Sequence, residues 1–576
     1  MFISDKESTC QGPGRKHTYV ADIGTGPSKE TCRASSTRQA TDSNAGRTPR
    51  VVPAKSKKDQ VDIQSKVAAK TNRTLEGSLG KLAVGSVVEA PDGTQWKVVE
   101  VNNANGGIVA EVNVIRDVPG PSAYAKRYVV AGAVSSSWRL IIDNGILNQI
   151  RKCTEIEARR VLQTKNWTLS FAELEAFLAI LYIRGATESK GMEIDLMWSE
   201  KYGLPFCKNV MSRNRFREIM KFLRFDEKST RSQRLQTDKF ALISDVFSRF
   251  VSNCQTNYVP GPHISVDEQL FPSKTRCPFT QFMASKPDKY GQKYWMAVDV
   301  DSKYVVNIIP YLGKNYERPA EERLGDFVVK KLVDPYLNRG RNVTCDNFFT
   351  SLELAKFLKS KKKTSLVGTI NKARREVPIC VKKVKEKLYF TKAFKSDDTT
   401  LTVYQGKTKK NVVLLSSMHR DIRTGNDKKS KPETVAFYNS TKYGVDVVDQ
   451  MCRKYSLKSA SRRWSVHSFF NILDLAGINA WVLYKELTKE NISRRDFLFK
   501  LGEELAEEYV ENKSANANLP MTNAGGSRRR YKVQTSCHEG KSANECFTCN
   551  RPVCKKCTKR ISYVCVSCEP GSDEAM

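Results

Sequence analysis

The sequence predicts a multidomain α/β protein, and three observations predict it. Short apolar runs at 263–270, 293–301, 304–312 and 342–349 alternate with helical patterns at 320–338 and 351–362, as in a mixed sheet covered by helices. Apolar residues recur every three or four positions through 137–262 and again through 459–512, which is helical spacing. Seven of the sixteen cysteines crowd into 537–568 and mark a small separate tail. At 576 residues the chain can bury sizeable cores without disulfides to hold them.

The net charge of +34 is spread along the chain, the footprint of a protein that follows a phosphate backbone, so the expected partner is a nucleic acid. The opening residues MFISDKESTC lack the charged-then-apolar order of a secretory signal, so an intracellular protein is expected. The apolar run 469–484 is shorter than a membrane span needs and carries Asp474, which assigns it to a packed core and leaves no transmembrane segment.

Taken in order, residues 1–78 hold too few large apolar side chains to offset chain entropy and are expected to be disordered. Residues 79–136 are expected to form a small β module, because apolar and polar residues alternate over 82–118 around Pro91-Asp92-Gly93 and Asn105-Gly106-Gly107. The helical part 137–262 contains SRNRFREIMKFLRF (212–225), whose five Arg or Lys face away from its apolar stripe, towards either solvent or DNA. Residues 263–373 suit the first part of a sheet of the RNase H kind, 374–431 a Lys-rich β insertion, and 432–458 the last part of the core. A second helical part (459–512), a basic linker (513–532) and a cysteine-rich domain (533–570) complete the chain.

Asp267 follows the strand-like HISV, Asp346 follows NVTC, and Asp446 and Asp449 lie three residues apart in YGVDVVDQ. Apolar residues before the first two imply buried strands whose carboxylates emerge at the ends. On a helix, Asp446 and Asp449 would face the same side. Converging carboxylates of this kind suit two hard divalent ions such as Mg²⁺ for phosphodiester cleavage. Asp299, Asp301 and Asp334 read as ordinary surface or capping residues.

Arg462-Arg463-Trp464 joins two phosphate-binding cations to a stacking ring and reads as a DNA contact. His467 reads as packed or DNA-facing, and with five histidines in all, His-based nucleophilic catalysis is poorly supplied. Gly406-Lys407-Thr408 lacks the upstream glycine of a P-loop. In the tail, Cys546-x₂-Cys549-x₄-Cys554-x₂-Cys557-x₇-Cys565-x₂-Cys568 is preceded by Cys537-His538. Repeated C-x₂-C turns aim paired thiolates at tetrahedral zinc, with a disulfide framework as the alternative. Seven Cys and one His suffice for two Zn²⁺.

Together, SVDEQL, CPFTQFMASKPDKYGQK (277–293), PYLG, NVTCDNFFTSLELAKFL (342–358), YNSTKYGVDVVDQMCRKYS (438–456) and RRWSVHSFFNILDLAGINAW (462–481) resemble the piggyBac transposase family over residues 137–570. The resemblance implies an RNase H-like catalytic core with a β-rich insertion, flanking helical dimerisation and DNA-binding parts, and a C-terminal cross-brace zinc finger. It implies that Asp267, Asp346 and Asp446 are the catalytic triad and Asp449 a further aspartate near two Mg²⁺. The implied reaction nicks transposon ends, forms and reopens a hairpin, and joins the ends to TTAA target sites. A homodimer acting on double-stranded DNA in the nucleus is expected; a domesticated, non-cutting DNA-binding or chromatin protein is the alternative. Two positions depart from the family: Tyr443 stands where a glycine is common, which would be strained at positive φ, and Gln534 replaces the first tail cysteine, leaving His538 as its substitute.

Overall fold

The structure is a computed structural model that describes residues 82–103, 115, 117–313, 318–382, 386–408 and 410–517, with 529–530, 541–542 and 553. All belong to one unit, Arg73–Met576. The segment expected to be disordered, 1–78, and the zinc ligands Cys537, His538, Cys546, Cys549, Cys554, Cys557, Cys565 and Cys568 lie outside the described residues.

The longer helices of the first helical stretch are α1 (Val134–Ile141), α2 (Asn144–Leu162), α3 (Phe171–Ala186), α4 (Arg213–Phe222) and α5 (Ser244–Asn257), with shorter ones between them. Side-chain caps start three of them: Asp143 accepts from Ile146 N at 2.9 Å, Ser170 from Glu173 N at 3.0 Å and Ser212 from Arg215 N at 3.3 Å. Helix α3 is buried almost all round, which only a helix inside a core can be. Two of the cations of the basic segment, Arg215 and Arg224, are held by acids of other helices, while Arg213, Arg217 and Lys221 stay exposed. Arg215 pairs with Glu173 at 2.7 Å, Arg217 with Asp195 at 3.2 Å, and Arg224, just beyond the helix, with Glu157 at 2.8 Å.

Eleven strands form one sheet among the described residues. They are β1 (Val87–Glu89), β2 (Gln95–Val99), β3 (His263–Pro272), β4 (Thr280–Phe282), β5 (Tyr290–Asp299), β6 (Val305–Pro310), β7 (Asn342–Cys345), β8 (Ser365–Thr369), β9 (Thr391–Ser396), β10 (Thr399–Lys407) and β11 (Lys410–Ser416). The order is β1-β2-β9-β10-β11-β8-β7-β3-β5-β4, with β6 also paired to β5. Strand β7 runs parallel to both β3 and β8, and the other pairings are antiparallel. Every residue of β7 is buried, as a strand covered on both faces must be. Helix α6 (Leu324–Val333) makes the crossover from β6 to β7.

The mixed sheet is therefore present, and it reaches further than the local patterns indicate. The hairpin β1–β2, from the segment 79–136, bonds through β2 to β9, from the segment 374–431, with Val99 opposite Ala393. Trp96 anchors the junction: it is fully buried and donates its indole N–H to Glu376 O at 2.9 Å.

Helices α7 (Glu433–Thr441), α8 (Gly444–Lys454), α9 (Trp464–Thr488) and α10 (Arg494–Ala517) follow the sheet. Helix α9 extends the apolar run 469–484 to 25 residues, long and apolar enough to cross a membrane by length and composition. Yet 94% of its apolar window is buried inside the protein. Its partners explain why. Tyr182 of α3 takes a hydrogen bond from Trp138 Nε1 at 2.7 Å and donates to Leu473 O at 3.1 Å, while Asn479 bonds both Val305 N and Val305 O on β6. Helix α9 thus lies between the early helices and the sheet, and joins the two helical stretches through side chains far apart in sequence.

Candidate active site

The register of β3 and β7 pairs Val266 with Cys345, so the next residues, Asp267 within β3 and Asp346 just past the end of β7, stand next to one another. Burial pushes the Asp267 carboxyl well above the ordinary carboxylate range, and the neighbouring charges of Glu268 and Asp346 push it further. A hydrogen bond from Glu268 N at 2.7 Å offsets part of this. Asp346 is raised for the same reasons, burial first, although Phe348 N donates to it at 2.9 Å.

Helix α8 carries the other two aspartates and packs on β3. Ser265 Oγ donates to Lys442 O at 3.1 Å just before the helix begins. Tyr443 sits there with φ −87°, so the strain expected of a side chain at positive φ does not arise. The position that needs glycine is the next one, where a Cβ on Gly444 would meet the Ser265 Cβ at 2.8 Å. Asp449 is buried, pairs with Arg453 at 3.2 Å and is raised mainly by that burial. Asp446 is 66% exposed along its side chain.

A residue that pattern reading did not single out links the two pairs. Lys286, in the turn between β4 and β5, donates to Glu268 O at 2.9 Å and lies 3.7 Å from Asp446 Oδ1. Its charge also lowers Asp267 and Asp449 against the effect of burial. The only signal in the sequence was its place inside CPFTQFMASKPDKYGQK.

A divalent ion fits Asp267 and Asp346 by chemistry: the donors are carboxylate oxygens, and both carboxyls are raised first by desolvation and then by the nearby charge of Glu268, an environment that a hard cation would relieve. Asp446 and Asp449 are held beside Lys286 instead. Among the described residues no group of three or more His, Cys, Asp or Glu is close enough to hold an ion.

A cavity of about 910 Å³ opens beside this cluster, lined by Lys190, Lys274, Arg276, Lys458, Arg462 and His467, with Asp288 as its acid. A smaller one of about 150 Å³ shares the basic residues Lys190 and Lys458, with Asp288, and reaches Asp449 of α8 and Asp474. The three residues read as one DNA contact separate here. Arg462 is exposed and lines the cavity. Arg463 turns inward, donating to Met220 O at 2.5 Å and to Leu223 O at the end of α4, and burial lowers its pKa to about 10. Trp464 stacks on Phe240 with centroids 5.6 Å apart and meets Phe279 edge-on at 5.0 Å, so its ring is occupied by packing. His467 is buried, with Nε2 3.1 Å from Ser461 O.

Known proteins share this architecture. The sequence model of the family described as transposase IS4 matches residues 135–481. PiggyBac transposable element-derived protein 3 of Homo sapiens is 22% identical over 451 residues, covering 75% of this chain and 73% of that protein. The Chimeric ERCC6-PGBD3 protein of Homo sapiens is also 22% identical over 451 residues, and the match spans 75% of this chain but only 41% of that longer protein. Among solved structures, the cryo-EM structure of piggyBac transposase in a synaptic complex with hairpin DNA superposes with a TM-score of 0.65 at 28% identity, covering 79% of this chain and 100% of that one. The chain belongs to the transposase IS4 family and is of the piggyBac type.

Proposed function

We propose that the protein is a cut-and-paste DNA transposase with an RNase H-like core, whose Asp267, Asp346, Asp446 and Asp449 hold two Mg²⁺. The observation that carries this reading is the β3–β7 register, which stands Asp267 and Asp346 side by side, with α8 seated on the same strand. Mg²⁺ held there would supply activation of an attacking oxygen and stabilisation of a leaving one. The residues of the chain position the DNA. Lys274, Arg276, Lys458 and Arg462 line a cavity suited to a phosphate backbone, and a smaller cavity sharing Lys458 reaches Asp449. The reaction order is nicking of each 3′ end, attack of the freed hydroxyl on the opposite strand to form a hairpin, reopening, and transfer to TTAA. The similar solved structure holds hairpin DNA, which supports this order.

The same proposal extends to a homodimer on double-stranded DNA, a nuclear location, and two structural Zn²⁺ on Cys537, His538, Cys546, Cys549, Cys554, Cys557, Cys565 and Cys568. It is tested by letting the purified protein select fragments of its source genome, adding Mg²⁺ and sequencing the ends. Cuts at inverted repeats bordered by TTAA are expected. Enriched but uncut fragments would overturn the enzymatic reading and leave a domesticated DNA-binding protein.

A further inference from the structure

A lysine ammonium normally keeps its head in water while its stem lies along the protein. Lys286 does the reverse. Its side chain is only 13% exposed, and Nζ points into an acidic neighbourhood, 2.9 Å from Glu268 O and 3.7 Å from Asp446 Oδ1. Its ammonium thus joins the backbone of β3, at the residue after Asp267, to a carboxylate of α8. Arg453, the other base near Asp449, bonds both Asp449 at 3.2 Å and Asp288 at 2.9 Å, and among the described residues it makes no ion pair to β3. Lys286 therefore ties the β3 backbone to the α8 carboxylate Asp446 near the point where Gly444 brings helix and strand together.

We propose that Lys286 is a tethered counter-cation: in the metal-free protein its ammonium takes the place of a divalent ion between the β3 and α8 carboxylates, and it competes with that ion for them. The inference rests on the reading of these carboxylates as metal ligands. Loading the site then requires Nζ to withdraw, and the lysine sets the ion concentration at which the site fills. Lys286 acts through the aspartates and is a positioning residue. It holds α8 against β3 while the site is empty and weakens ion binding by repulsion.

The test is a Mn²⁺ titration of the full-length protein, with free ion followed by electron paramagnetic resonance, on the wild type and on Lys286→Met, Lys286→Gln, Lys286→Arg and Asp346→Asn. Asp346→Asn is expected to remove the tight component. Lys286→Met and Lys286→Gln should bind Mn²⁺ about tenfold more tightly than wild type, and Lys286→Arg should stay close to wild type, because only the charge competes. The glutamine variant keeps a donor for Glu268 O should the methionine variant not fold. Unchanged or weaker binding in a folded neutral variant overturns the counter-cation. A wild type with no Mn²⁺ component sensitive to Asp346→Asn overturns the metal-site reading and this inference with it.

Discussion

Gly444 meets Ser265 closely enough that a methyl group at position 444 would lie 2.8 Å from the Ser265 Cβ and 3.5 Å from Val298 Cγ1. This contact seats the helix bearing Asp446 and Asp449 on the strand bearing Asp267. Gly444→Ala is therefore expected to lift α8 away from β3, cost about 1–3 kcal/mol of stability and reduce strand cleavage sharply. Tyr443→Gly should stabilise nothing, since φ is already negative there. Thermal unfolding and a nicking assay on both variants check this; a wild-type melting temperature for Gly444→Ala would refute it.

Asp346 is expected to separate stability from chemistry. Its raised pKa means that the neutral form suits the folded, metal-free protein better, and that stability is lost as pH rises through the raised value. Asp346→Asn keeps an oxygen for Phe348 N and removes the charge. At pH 8 without metal it should melt at or above the wild-type temperature, while nicking with Mg²⁺ falls to background. A clear loss of melting temperature would mean that the carboxylate is there for the fold.

Asp474, buried in α9, accepts from Ser456 Oγ and Leu457 N, both at 2.8 Å, and burial raises its pKa from 3.8 to about 7. The sign follows from linkage: a raised carboxyl contributes stability that is complete below pH 3.8 and is lost as pH rises through about 7. The full loss is at most about 4 kcal/mol. Asp474→Asn should flatten the decline in stability between pH 5 and roughly pH 8. Denaturant unfolding across that range checks it, and parallel pH profiles for the two proteins would count against it.

Adjacent arginines are expected to behave differently. Arg463→Met removes the donors that close the end of α4 at Met220 O and Leu223 O, and should cost about 1–3 kcal/mol of stability. Arg462→Ala should leave the melting temperature unchanged, weaken DNA binding, and lower the slope of log affinity against log salt by about 1. Binding isotherms at several salt concentrations, beside melting curves, decide the matter; equal effects from the two changes would contradict the structural distinction.

The candidate site was legible in part. Asp267 and Asp346 were singled out because each follows a run of apolar residues, which can be read without knowing its neighbours, and the fold brings the two positions together. Asp446 and Asp449 were found from their helical spacing, and α8 does present both towards Lys286. Lys286 escaped because an isolated lysine in a polar turn looks like any solvated lysine until the turn is folded against β3. Arg463 and Trp464 were grouped with Arg462 because cations and an aromatic ring in a row fit a nucleic-acid contact; folding instead packs Arg463 against the end of α4 and Trp464 against Phe240.

By itself the sequence determined which stretches are helical and which are strand-like, because hydrophobic period and turn residues act over a few positions; it placed Asp346 just past a strand end, as observed, but Asp267 is mid-strand, since β3 runs on through it to Pro272. Tertiary structure alone decided that β2 bonds to β9, that β7 lies parallel beside β3 with Asp346 next to Asp267, and that α9 is a buried core helix although its length and composition would suit a membrane. It also decided which cations remain free for a partner. These outcomes depend on pairing and burial between residues far apart along the chain, where register and packing volume, which no local pattern carries, select one arrangement.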